Sequence, residues 1–177
     1  MIDRFNIRVY MLILDEDKIL VSDEVIRVGH YTKFPGGGLE YGEGLLDCLH
    51  REALEELGQA IVEPIHLYTT DFFQQSAFRA EDQIVSVYYR CQLEGQPEFR
   101  ISNIMHDFLP GKRQSFRWVK LNELKEEDLS YFNRQEGSRY SSNLKDLSKP
   151  LLNHAGNNLV KVSWVQSSPR NSIEFSA

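Results

Sequence analysis

Three glutamates, Glu52, Glu55 and Glu56, fall at i, i+3 and i+4 in a stretch of helical period. That spacing brings their side chains within an arc of about 100° on one helix face. Like charges so placed repel by roughly 2–3 kcal/mol per pair at about 6 Å and an effective dielectric near 20. The triplet therefore needs either a solvated surface or a cation. Arg51 is placed to hydrogen-bond carboxylates and hold them in one geometry, and Glu43 lies where the helical period begins. Immediately upstream, Gly36, Gly37 and Gly38 make a loop whose bare backbone lets a ligand come close and presents N–H groups to it. Hard oxygen ligands beside a phosphate-compatible loop suit Mg²⁺ or Mn²⁺, which take a few carboxylates plus substrate phosphate oxygens. The chemistry implied is metal-assisted phosphoryl hydrolysis.

Other candidates carry less. Arg27, Lys33 and Arg79 are of the right type to contact phosphate, but exposed solubilising charge explains each equally well. Phe72, Phe73 and Phe78, with Tyr31, have the flat faces needed to stack a base, while aromatics beside strands are most often core. Cys48 has no positioned histidine partner and reads as inert. The five histidines show no metal-binding spacing, and neither a Walker loop nor a GxGxxG motif is present.

The elements that must position the glutamates follow from periodicity. Ile7 to Leu14 is a dense apolar run that reads as a buried strand, Asp15 to Asp17 as a turn, and Lys18 to Ser22 as the return strand of a hairpin. From Glu43 the period becomes 3.6, with Leu46, Leu49, Ala53 and Leu57 forming an apolar stripe opposite the glutamates and Gly58 as the stop. Ile61 to Thr69, Ile84 to Leu93 and Gln114 to Lys120 read as further strands, and Asn122 as the cap of a helix over Glu123 to Leu129. The composition turns polar and amide-rich from Ser130, so the expected division is a core over residues 1–130 and an extension, a short helix and strand before a tail, over 131–177.

Composition narrows the function classes. Lys plus Arg number 20 against 26 Asp plus Glu, a net charge of −6 over 177 residues, with 41% hydrophobic and 26% charged residues. This is a globular composition without the clustered basic residues that hold nucleic-acid backbones, so no broad nucleic-acid binding is expected. The longest early apolar run, Val9 to Leu14, is far too short for a membrane span, and no membrane association is expected. Two cysteines cannot build a disulfide framework or a four-cysteine zinc site, which favours a reducing compartment, the cytoplasm.

Gly37, five residues, Glu43, seven residues, then Arg51-Glu52-Ala53-Leu54-Glu55-Glu56-Leu57-Gly58-Gln59 resembles the Nudix box of the MutT-like Nudix hydrolases. Phe34-Pro35-Gly36 before it, and Arg117-Trp118-Val119 with Leu121 and Leu124 after it, resemble weaker features of the family. The resemblance implies an α/β/α sandwich with a mixed curved sheet. It also implies a pyrophosphohydrolase cleaving a nucleoside diphosphate linked to another moiety, with a nucleotide sugar, an ADP-ribose-like compound or a nucleoside triphosphate as substrate. By the same resemblance Glu52, Glu55 and Glu56 are metal ligands for Mg²⁺ or Mn²⁺. Arg51 and Glu43 orient that cluster in the catalytic centre, and Gly37 and Gly38 shape the loop at the diphosphate, with Lys33 and Arg27 as further substrate contacts. A homodimer is expected by analogy.

Two departures from the family pattern stand out. The position closing the box is Gln59, and the late loop from Pro110 to Arg117 has no carboxylate to act as a fourth ligand or base, leaving Asp107, Glu98, Glu81 and Asp82 as candidates. The alternative reading is a non-catalytic nucleotide-sensing or interaction protein on the same fold, with the extension as its partner surface. A diphosphate isoprenoid isomerase would need a catalytic cysteine, and Cys48 within the helix is poorly placed for that.

Overall fold

The computed structural model describes residues 1–27, 29–124 and 129. The extension over 131–177 and most of the helix expected from Asn122 lie outside those residues. Among the described residues seven strands and one α-helix follow in the order β1 (Arg4–Asp15), β2 (Lys18–Ile26), β3 (Gly29–Lys33), β4 (Gly36–Gly38), α1 (Leu45–Glu52), β5 (Ile61–Thr69), β6 (Asp82–Leu93) and β7 (Gln114–Lys120). The chain continues from α1 into a π-helical turn over Ala53–Leu57.

The apolar run of β1 is buried on both faces, and its alternation divides the core in two. Val9, Met11 and Ile13 point to a cluster with Leu20, Cys48, Leu49, Ala53 and Leu57, beneath the helix. Tyr10 and Leu12 point the other way, to Ile19, Val21, Phe34, Tyr88 and Leu129. β1 pairs in parallel with β6 from Arg4↔Asp82 to Ile13↔Cys91, and β6 pairs antiparallel with β5. The other edge of β1 is shared: Arg8, Val9 and Tyr10 take β4, and Leu14 and Asp15 take β2 across the hairpin. β2 lies between β3 and β7, antiparallel to both. The result is the expected mixed sheet, splaying where β2 leaves β1, and α1 forms the helical layer on one face of the expected α/β/α sandwich.

Most strands fall where periodicity puts them, and β5 and β7 coincide with the expected ranges. β5 is an edge strand and tolerates Pro64 and two register shifts for that reason. Two elements differ from expectation. β3 is too polar to read as a strand, and the glycine loop is itself a strand, β4, hydrogen-bonded into the sheet. Among the described residues no helix is long and apolar enough to cross a membrane.

Candidate active site

The helix begins at Gly44, whose N–H donates to Asp47 Oδ2 at 2.9 Å. Its buried face differs from the expected stripe. Leu49, Ala53 and Leu57 are buried, but Leu46 is 46% exposed, and Cys48 and Glu52 are buried instead. The inward face is thus rotated toward Glu52, and the glutamates do not stand opposite the apolar stripe. Glu52 and Glu56 face the sheet, whereas the Glu55 side chain is 59% exposed. The π turn contributes to that separation: its wider ring turns each residue through a smaller angle, so Glu55 sits farther around the axis from Glu52 than α geometry would place it. Gly58 ends the segment in the left-handed region, with φ 65° and its N–H on the Leu54 carbonyl.

β4 brings the glycines against this face. Gly36 adopts φ +133°, and a Cβ there would lie 2.1 Å from the Val9 carbonyl oxygen. At Gly37 a Cβ would lie 2.1 Å from Glu52 Oε1, so the carboxylate occupies the space that any side chain would fill. Gly38 is not so confined; its nearest neighbour would be Asn6 Oδ1 at 4.0 Å.

Arg51 ties the outer half of the site together. Its Nε and Nη2 donate to Glu43 Oε1 and Oε2 at 2.5 and 3.1 Å. Nη1 donates to both Glu52 Oε1 and Glu55 Oε2 at 2.9 Å, and Nη2 also reaches the Gly38 carbonyl at 3.0 Å. This fork geometry is one that guanidinium provides and ammonium does not. The Arg51 hydrogen bonds, with the Glu40 N–H, hold the Glu43 carboxyl down at about 2.

The inner half is held by Lys33, whose side chain is 4% exposed rather than reaching out as a phosphate contact. Its Nζ donates to Glu56 Oε1 at 2.7 Å and the Gly36 carbonyl at 2.6 Å, and pairs with Glu24 Oε1 at 2.8 Å. The Gly36 N–H closes the ring on Glu56 Oε2 at 2.9 Å. Burial opposes charge on Lys33, but the carboxylates of Glu56 and Glu24 outweigh it and raise its pKa. The trio has one negative charge in excess, and burial, reinforced by Glu24, pushes the Glu56 carboxyl up to about 7 despite the opposing pull of Lys33.

Glu24 is the residue that sequence reasoning missed. It lies on β3's neighbour β2, in a polar stretch with no motif, and only strand register, with Glu24 opposite Tyr31 and Ser22 opposite Lys33, brings it diagonally within reach of Lys33. Glu24 and Glu56 line one side of a cleft of about 670 Å³, with Phe99, Phe116, Arg100, Lys112 and Arg113 also on its wall. The grouping of the cations is not legible in the chain either, since Arg100 meets Lys112 and Arg113 only through the path of the connection between β6 and β7. Of the acidic residues considered for the late loop, Asp107 is paired with Arg100 and Ser102, and Asp82 with Arg4 at 3.0 Å. Neither carboxylate is among the residues lining the cleft. Arg27 is exposed at a tight turn, with its guanidinium 5.7 Å from the Phe78 ring centroid. Burial pushes the Cys48 thiol up to about 11 and that of Cys91 up to about 12.

Among the described residues no three His, Cys, Asp or Glu side chains converge closely enough to cage a metal ion. The donor set nevertheless fits a divalent cation. Among the described residues Glu24, Glu43, Glu52, Glu55 and Glu56 have two cationic partners between them, Lys33 and Arg51, and Glu52 is pressed into a cradle kept open by Gly37. Such an excess of hard oxygen donors suits Mg²⁺ or Mn²⁺.

The chain matches the NUDIX domain family over residues 4–138. It is 31% identical over 124 residues to an RNA pyrophosphohydrolase of Helicobacter pylori (strain HPAG1), covering 58% of this chain and 74% of that protein. Among solved structures, a NUDIX hydrolase from Nitrosomonas europaea superposes with a TM-score of 0.56 at 18% identity, covering 84% of this chain and 89% of the other. A MutT NUDIX hydrolase from Burkholderia pseudomallei gives 0.54 at 19% identity, covering 69% and 88%.

Proposed function

The chain belongs to the NUDIX family and is a hydrolase of pyrophosphate bonds, and on that premise we propose that it is a Mg²⁺- or Mn²⁺-dependent enzyme cleaving a nucleoside diphosphate linked to another moiety. In this reading Glu52, Glu55 and Glu56 hold the metal. Arg51 and Glu43 orient the first two, and the backbone of Gly37 and Gly38 leaves room for the diphosphate beside them. Bound metal would neutralise charge on the phosphate oxygens and lower the pKa of the attacking water. The observation that carries the proposal is the position of the Glu52 carboxylate, filling the void of the missing Gly37 side chain while a guanidinium fixes its direction.

The cleft beyond Glu56 supplies the rest of the substrate site. Its cations Lys112 and Arg113 are exposed and suited to a polyphosphate, and Phe99 and Phe116 give it an apolar floor. The name of the Helicobacter pylori relative makes a pyrophosphate-bearing RNA end the first substrate to try, alongside nucleotide sugars, ADP-ribose and nucleoside triphosphates. Two free, buried thiols are compatible with a reducing cytoplasm. The test is to incubate the protein with that panel and Mg²⁺ or Mn²⁺ and identify products by mass. Metal-dependent scission of a phosphate–phosphate bond in at least one compound is expected. Binding without turnover across the panel would favour the non-catalytic sensor instead.

A further inference from the structure

Lys33 Nζ stands where oxygens from three elements converge. Glu56 Oε1 comes from the π turn, Glu24 Oε1 from β2 and the Gly36 carbonyl from β4, at 2.7, 2.8 and 2.6 Å. An ammonium has three N–H groups and no acceptor, so these contacts use its whole capacity. Two carboxylates and a carbonyl are also what a hard divalent ion selects. The surroundings hold the oxygens in place: the Gly36 N–H bonds Glu56 Oε2, while Ser22 Oγ and Gln114 Nε2 donate to Glu24 Oε1 at 3.0 and 3.1 Å.

We infer that Lys33 is a positioning residue whose ammonium acts as a built-in cation, occupying the Glu24–Glu56–Gly36 position in place of a divalent ion and orienting Glu56 toward the metal shared with Glu52. The inference rests on the metal-dependent reading above. Because the ammonium is covalently tethered, Glu56 keeps its direction whether or not metal is bound. The same tether limits the number of divalent ions the site takes up. A salt bridge serving stability alone would leave that number unchanged when removed.

The test counts bound Mn²⁺ by electron paramagnetic resonance in the parent and in Lys33→Met. The variant is expected to take up one more Mn²⁺ than the parent. An equal or smaller number in a folded variant overturns the role of Lys33 while leaving the metal-dependent enzyme intact. No Mn²⁺ bound to the parent overturns the metal-dependent reading itself. Should Lys33→Met fail to fold, the parent decides alone. Its ¹⁵N-labelled lysine ammonium of slow hydrogen exchange should persist when Mg²⁺ saturates the protein, and its conversion to a fast-exchanging signal would show that metal displaces Lys33 and overturn the inference.

Discussion

Gly37 and Gly38 are adjacent and chemically identical, yet the structure assigns them opposite tolerances. A methyl at Gly37 collides with the Glu52 carboxylate, whereas one at Gly38 meets nothing closer than 4.0 Å. Gly37→Ala should therefore lower the Mg²⁺-dependent hydrolysis rate by about 100-fold, the scale on which a displacement of about 1 Å acts. Gly38→Ala leaves the Glu52 carboxylate in place and should act on KM rather than kcat, since its methyl enters the room left for the diphosphate, and circular dichroism should find both folded. Glu43 makes a pH prediction. Its carboxyl ordinarily titrates at 4.5 and here at about 2, so the unfolded chain takes up that proton first as pH falls. Stability from the Glu43–Arg51 pair is thus present above pH 4.5 and lost progressively toward pH 2. Urea midpoints at pH 5 and pH 3 should differ more in the parent than in Glu43→Gln. The two cysteines, buried and with raised pKa values, should resist alkylation by iodoacetamide at pH 8 and react only in denaturant.

At the scale of elements, Gln59 explains one departure from the family pattern. Its Nε2 donates to the Glu94 and Gln96 carbonyls, both at 2.9 Å, and its Oε1 accepts from the Glu98 N–H at 3.0 Å. The whole amide is used to fasten the end of the helical segment to the turn after β6. Gln59→Ala removes three hydrogen bonds to a turn whose backbone water can partly solvate, and should cost about 1–2 kcal/mol in urea unfolding, with little effect on turnover. The helix and its stop were legible because the 3.6 period and Gly58 state them locally. Its inward face is not legible from apolarity alone. Glu52 is polar and buried, and Leu46 apolar and exposed, each for reasons that lie in β4 and the sheet margin. β4 escaped notice because a three-glycine strand has no side chains from which alternation can be read.

The whole molecule places a cationic cleft on a chain of net charge −6. Lys112 lines the cleft, and its ammonium makes none of the hydrogen bonds of the carboxylate network, so Lys112→Ala should raise KM about three- to tenfold with kcat little changed, and more so at low salt. The chemical half of the site could be read along the chain, since Arg51, Glu52, Glu55 and Glu56 lie within one helical segment. Glu24 and the cleft cations could not, because they meet only through the pairing of β2 with β3 and β7. The central claim is that the Glu52 carboxylate, cradled by Gly37, holds the metal that drives hydrolysis. The most direct measurement is the Mn²⁺-dependent cleavage rate of Glu52→Gln beside the parent, on a substrate the parent accepts. A rate at least about 100-fold lower at an unchanged unfolding midpoint is expected, and equal rates in a folded variant would contradict the account.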